Sequence, residues 1–205
     1  MLQGVIAVIL AYALGCLCFG YYLTRLLTGQ DIRDLGSGNA GSRNVGRIAG
    51  KKGFALTFVG DAGKGVLAVM LARYLSSVEL VSCLALLAVV AGHIWPVQLG
   101  FKGGKGMATM AGGLAVLNPL LFVAALFTCG VMLLLVRSAT KAGIIATALL
   151  PVILLSLQLR GGDLSIAGLL VVCTMAGVVL YAHRTNIGQK FFGKPAVAIS
   201  RENDL

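Results

Sequence analysis

Apolar residues dominate this chain in long runs, and polar residues collect between the runs. Reading apolar length against loop punctuation predicts seven membrane helices, at 4–27, 54–75, 79–99, 107–118, 120–136, 142–159 and 164–182. About 20 apolar residues suffice for one crossing. The ten-residue apolar/polar alternation of a membrane barrel is missing. The expected fold is therefore all-α and polytopic, with residues 1–205 forming a single membrane-embedded domain. Asn118-Pro119 divides what would otherwise be one helix over 107–136, because a residue before proline is pushed out of the helical region. The fourth segment then has too few residues to cross unaided, so it must start deep, thin the bilayer or be buried among neighbours.

Composition agrees. Hydrophobic residues make up 58% of the chain and charged residues 12%, with a mean hydropathy of +0.93, where soluble domains carry about 25% charged residues. Residues 1–24 hold no charged side chain, so the positive leader of a secretory signal is missing and the first segment reads as a retained helix. The five cysteines (Cys16, Cys18, Cys83, Cys129, Cys173) lie in apolar segments without metal-type spacing and read as small buried side chains. Charge gives the parity. With seven spans, one side holds Arg25, five Lys and Arg in 28–53, two in 100–106, two in 137–141 and four after His183; the other keeps only Arg73 and Arg160. Positive residues gather in cytoplasmic loops, so the N-terminus is expected outside and the C-terminus in the cytoplasm. Basic residues interleaved with aromatics, as base stacking requires, do not occur. Nucleic acid is therefore not an expected partner of the net +10 charge, whereas membrane lipid and small phosphorylated molecules are.

Three polar segments share the basic side. Residues 34–53, "DLGSGNAGSRNVGRIAGKKG", combine six glycines with Ser37, Asn39, Ser42, Arg43, Asn44 and Arg47. Glycine lets successive N–H groups converge on an anion, and arginine grips phosphate with two donors. A loop of this length without an apolar face is more often functional than filler. Residues 92–109, "GHIWPVQLGFKGGKGMAT", contain GGKG without the spacing of a nucleotide-binding loop. They form a glycine-rich turn that presents free N–H groups and feeds a helix start, whose dipole favours anions; Lys102 and Lys105 add charge, Thr109 is placed to cap or bind, and Trp95 reads as an interfacial anchor. Residues 182–194, "AHRTNIGQKFFGK", put His183 and Asn186 on one helical face if the helix continues, with Phe191 and Phe192 dipping into the interface. Inside the second span, Asp61 and Lys64 lie one turn apart. Charges there mark function by default; the choice is between a self-neutralising pair that holds helices together and a deep Lys64 that meets a phosphate.

The inventory is donors and cations. His93 and His183 are the two histidines, no HxxxxD spacing occurs, and metal-ligand clusters and cofactor motifs are missing from the sequence, so neither metal nor cofactor is expected. A nucleophile such as Ser37 lacks an adjacent base. A site of this kind works by holding anions in attack geometry and stabilising a developing oxyanion. Its reactants must bring their own reactivity, as an acyl donor with a phosphate leaving group does. A carrier for phosphorylated solutes is the competing class, since broken helices and intramembrane charges suit it too. Against it, no internal repeat is visible and the polar loops share one face.

"GSGNAGSRNVGR", "GHIWPVQLGFKGGKGMAT" and "HRTNIGQKFFG" resemble the three signature segments of the bacterial acyl-phosphate:glycerol-3-phosphate acyltransferases, in order and over the whole chain. The resemblance implies a seven-helix enzyme of the bacterial inner membrane, with its active site on the cytoplasmic side. It would transfer a fatty acyl group from acyl phosphate to the 1-hydroxyl of glycerol 3-phosphate, giving lysophosphatidic acid and phosphate, the first step of phospholipid synthesis, with no obligate protein partner. Carried over by position, Gly36, Ser37, Gly38, Asn39, Gly41, Asn44 and Arg47 match the first segment. His93, Lys102, Gly103, Gly104, Lys105 and Thr109 match the second, His183 and Asn186 the third, and Lys64 the lysine of a DxxKG stretch. Ser37, Arg47, Lys105, His183 and Asn186 are the expected catalytic set, and the others are expected to bind substrate. Arg43 stands where the family usually has threonine, and Gln189 and Pro195 where it has arginine and glutamate.

Overall fold

The computed structural model describes residues 1–162 and 164–193. The described residues contain helices and turns and no strand. Nine α-helices follow in order: α1 (Leu2–Cys16), α2 (Phe19–Thr28), α3 (Ser42–Leu75), α4 (Glu79–Ile94), α5 (Met107–Leu117), α6 (Pro119–Val136), α7 (Ala139–Gln158), α8 (Ile166–Ala182) and α9 (Arg184–Phe191). Among the described residues five stretches are long and apolar enough to cross a membrane: 2–28, 42–75, 79–99, 119–136 and 139–158. The pair α8 and α9, bent by 62°, makes a sixth if taken together, and α5 is a shorter apolar helix. At 1.5 Å per residue α5 extends only about 16 Å, roughly half a bilayer core. Asn118 ends α5 in extended conformation and caps α6, its Oδ1 accepting from the Leu121 amide at 2.9 Å with Pro119 as first helical residue.

Two expectations need correction. The first span runs as one stretch, 2–28, but its helix is interrupted where Leu17 and Cys18 leave helical geometry between α1 and α2. The long loop after it is shorter than expected, because helix begins at Ser42 and turns a corner at Gly50 (φ 66, ψ −165). Only glycine takes that conformation readily. The corner folds residues 42–49 against the start of the membrane helix, where a Cβ on Gly46 would press on Phe54 and one on Gly53 on Ala49.

Helices cross tightly where small residues let backbones approach, the usual device of membrane packing. Gly15 and Gly92 face each other across α1 and α4, and Gly65 and Gly112 bring α3 onto α5 at the Thr109 and Ala62 carbonyls. The main core joins α1, α3, α4, α5, α7 and α8, and takes Leu121 from the start of α6. In the most apolar window of the stretch 79–99, 61% of residues are buried, against 6% for α6, where Leu121 turns inward while Leu120, Leu126, Phe127, Leu133, Leu134 and Leu135 face outward. Glu79 fastens the far ends of α4 and α8: its carboxylate accepts from the Ser165 amide at 3.2 Å and from the Cys83 thiol. Cys16, Cys18 and Cys83 are buried and all five cysteines are free.

Candidate active site

The polar segments meet at one end of the bundle. A small second core of Cys18, Ile32, Ala40, Val45 and Leu99 packs the first segment on the second. Arg33 adds a polar tie: its guanidinium holds both oxygens of Asp31 and donates to the Leu99 carbonyl at 2.7 Å. The same pairing holds the Asp31 carboxyl below its ordinary range. The second segment meets the third through Lys105, whose ammonium donates to Asn186 Oδ1 at 2.8 Å. The first reaches the helices on the far side through Arg43, which donates to the Thr140 hydroxyl at the start of α7. Lys141, next in sequence, lies over the Phe191 ring of α9 at 5.5 Å. Phe192 is exposed.

Within the first segment, Asn44 organises and does not reach outward. Its buried amide donates to the Leu35 carbonyl (2.8 Å) and the Ile32 carbonyl (3.3 Å), while its oxygen accepts from the Ser37 amide at 2.9 Å. Both amide hydrogens and the oxygen of the Asn44 side chain thus have protein partners. Gly36 (φ 59) passes directly over that oxygen, where a Cβ would collide, and Gly38 (φ 67) donates its amide to the Leu35 carbonyl. The outcome is a turn that leaves Ser37 exposed and Asn39 half-buried beside Gly41. Arg47 is exposed and lines a crevice of about 360 Å³ in the Gly50 corner with Arg43, Gly46, Lys51 and Phe54.

In the second segment the amides of Gly103 and Gly104 are not free, as the sequence had suggested. They donate to the Ile94 and His93 carbonyls at 3.1 and 2.9 Å, capping the last turn of α4, whose carbonyls would otherwise lack partners. The first-turn amides of α5, which follows Gly106 (φ 81), remain available for an anion. Lys102 is exposed. Thr109 is fully buried at the crossing of α3 and α5, and its hydroxyl has no partner among the described residues. It sits inside the first turn of α5 and does not cap it. Trp95 packs partly buried against the main core, and its backbone carbonyl accepts from the Tyr12 hydroxyl at 2.8 Å.

Lys64 and His93, both expected to touch substrate, meet each other inside the bundle. The Lys64 ammonium lies 2.9 Å from Asp61 Oδ1, 3.0 Å from the Gly15 carbonyl, 2.9 Å from the Leu17 carbonyl and 2.7 Å from His93 Nδ1. Three N–H bonds thus face four acceptors, and nothing is left for a phosphate. All three ionisable side chains are buried.

Lys105 contrasts with this. Its burial, reinforced by the nearby Arg184 charge, pushes the ammonium down to about 8; its hydrogen-bond partner, Asn186, is neutral. His183 ends α8, with Nδ1 2.8 Å from the Val179 carbonyl. A carbonyl only accepts, so Nδ1 carries a proton, and in the neutral ring Nε2 is left as an acceptor. The 62° bend then turns Asn186 toward Lys105, so His183 and Asn186 are joined around Lys105 by a break and not by a continuous helical face. Gln189 is exposed on α9, and Pro195 lies outside the described residues. The sequence reading missed Arg33 and Asp31, whose two-residue spacing in a loop was the available signal. Among the described residues no group of three His, Cys, Asp or Glu side chains gathers in metal-binding fashion.

A helical membrane protein that gathers a half-buried lysine, arginines and amides at one end is built to hold anions. Comparison with known proteins agrees. The family model for glycerol-3-phosphate acyltransferase matches residues 5–193. The glycerol-3-phosphate acyltransferase 1 of Desulfitobacterium hafniense (strain Y51) is 46% identical over 179 residues, 86% of this chain and 85% of the relative. The glycerol-3-phosphate acyltransferase of Pseudomonas aeruginosa (strain LESB58) is 40% identical over 187 residues, 91% and 95% of the two chains. Two crystal structures of PlsY (YgiH), an integral membrane glycerol 3-phosphate acyltransferase, share the fold. The glycerol 3-phosphate form aligns with a TM-score of 0.83 at 34% identity, covering 93% of this chain and 92% of that one. The lysophosphatidic acid form gives 0.80 at 32%, with the same coverage. The chain belongs to the glycerol-3-phosphate acyltransferase family. It is a multi-pass membrane acyltransferase acting on glycerol 3-phosphate, which sets the carrier reading aside.

Proposed function

We propose that the protein transfers a fatty acyl group from acyl phosphate directly to the 1-hydroxyl of glycerol 3-phosphate. It does so at the cytoplasmic face of the bacterial inner membrane, as a single domain with seven spans and its N-terminus outside. The carrying observation is Lys105: a half-buried ammonium with an amide and no acid as its bonded partner, at the meeting of the polar segments. Such a group is held ready for an anion. In this reading Lys105 and Arg47 clamp the two phosphates, with the first-turn amides of α5 supporting one of them. Ser37, Asn39, Asn186 and His183 position the hydroxyl and the acyl carbonyl. The hydroxyl oxygen attacks the acyl carbon, and its C–O bond forms as the bond from carbon to the phosphate oxygen breaks. Phosphate leaves with the electron pair and takes the hydroxyl proton, so no acyl-enzyme forms and no protein base is required. The acyl chain lies between helices in contact with lipid.

Purified protein in detergent, given acyl phosphate and glycerol 3-phosphate, should release lysophosphatidic acid and phosphate in equal amounts, and acyl-CoA should not replace the donor. Turnover with acyl-CoA alone would discard the donor assignment. Wild-type turnover in both Lys105→Ala and Arg47→Ala would discard the clamp. An acyl group trapped on Ser37, seen by mass spectrometry, would replace direct transfer by a two-step route.

A further inference from the structure

We propose that Lys64 is a positioning residue for Lys105, acting through the His93 ring and the Gly103–Gly104 backbone. The kinetic part of this rests on the reading of Lys105 as a phosphate clamp; the structural part does not.

Lys64 sits where three pieces of chain stop or start. α1 ends at Cys16, α4 ends at Ile94, and the segment leading to α5 folds back on that end. The last carbonyls of a helix have no partner in their own helix and carry its negative dipole end. At α1, the break at Leu17 and Cys18 exposes the Gly15 and Leu17 carbonyls, and the Lys64 ammonium takes both. At α4, the same ammonium lies on His93 Nδ1 at 2.7 Å. An ammonium only donates, so Nδ1 accepts and the neutral ring carries its hydrogen on Nε2. Asp61 Oδ1, 3.4 Å from Nδ1, lies on the same side.

That fixed ring is the floor of the glycine segment. The opposite edge, at Nε2, lies so close to the Gly104 Cα that a Cβ there would collide with it. The His93 carbonyl holds the Gly104 amide, and the Ile94 carbonyl holds the Gly103 amide. Lys105 is the next residue, and its ammonium projects from a backbone held at these two points. A lysine needed only to neutralise Asp61 would require one contact. Here the remaining contacts go to the broken end of α1 and to the ring beneath the loop.

Removing the charge alone would confuse position with stability, so the decisive variant removes both members of the pair. Asp61→Asn with Lys64→Met leaves no buried charge unpaired, and should regain most of the thermal stability that Lys64→Met alone loses. Three readouts in detergent then separate the roles. Hydrogen exchange at the Gly103 and Gly104 amides should quicken by about tenfold or more as the seat loosens. The KM for glycerol 3-phosphate should rise about tenfold, with a smaller change in kcat, as expected for a misplaced binding group. The kcat/KM pH profile should move, because the surroundings of Lys105 change. A folded double variant with wild-type exchange and a KM within about twofold of wild type would overturn the proposal. Should the double variant fail to fold, His93→Asn keeps Asp61, Lys64 and the bonds to α1 and removes the ring beneath Gly104 without adding bulk; the same exchange and KM criteria decide. If Lys105→Ala retains turnover while exchange still quickens, the clamp fails and the positioning of the loop stands.

Discussion

Two lysines show how differently one side chain is used within a few residues of chain contact. Lys64 is surrounded by one carboxylate, two carbonyls and an imidazole nitrogen. Lys105 is bonded to one neutral amide and lies beside another cation, Arg184. Taking an ammonium out of water is costly in both places. At Lys64 the cost is offset inside the protein, so the charge is structural. At Lys105 it is left partly unmet, and a bound anion would meet it. Burial alone therefore does not identify a functional charge; what the surroundings leave unsatisfied does.

The comparison breaks first at Lys64. Lys64→Met alone strands the Asp61 carboxylate, and removing one partner of a buried pair costs about 3–5 kcal/mol; a drop of that size in a denaturation series is the expected result. Lys105→Ala should instead leave thermal unfolding nearly unchanged and lower kcat/KM by about 10²–10³, the usual effect of losing one charge-stabilising donor. The pH dependence sharpens the contrast. Lys105 in the folded protein is pushed down to about 8, below the unfolded value of about 10.4. Between those values the unfolded chain binds more protons, so the Lys105 contribution to stability improves as pH rises through that window. Activity should run the opposite way: kcat/KM falls above about pH 8 as the ammonium is lost, and Lys105→Arg should shift that fall upward. Arg43→Thr is the smallest case. It removes one hydrogen bond from an exposed side chain to Thr140 and should change turnover by less than about threefold.

The helices were largely legible because runs of apolar residues and one Asn-Pro junction carry their own boundaries. The break at Leu17 and Cys18 was not, because neither residue is a helix breaker; it exists because Lys64 and Gln98 supply donors to the carbonyls around it. The helix at 42–49 was hidden by its glycines and polar residues, since its apolar face is only Val45, Ile48 and Ala49, set into the small second core. At the site, the polar segments were readable as a group, and Lys105 with Asn186 came together as a lysine and an amide from two separate motifs should. The directions of the side chains were not readable. Asn44 turns inward because Ile32, Leu35 and Ser37 offer the groups it needs, and the Gly103 and Gly104 amides cap α4 because its carbonyls needed them. Such demands belong to the neighbours, and nothing in the motif itself reveals them.

The meeting of the α1 and α4 ends at Lys64, with the segment before α5 folded onto them, has a consequence for chain length. Inserting one residue into any of these helices would advance everything beyond it by about 1.5 Å and rotate it by about 100°. That swings Gly15 away from Lys64, His93 away from Gly104, or Thr109 away from Gly65. The outward-facing α6 has no such appointment to keep and should accept a lengthened end. Relatives of this protein should therefore differ in how long their far-side turns are, and scarcely at all in the number of residues between these landmarks.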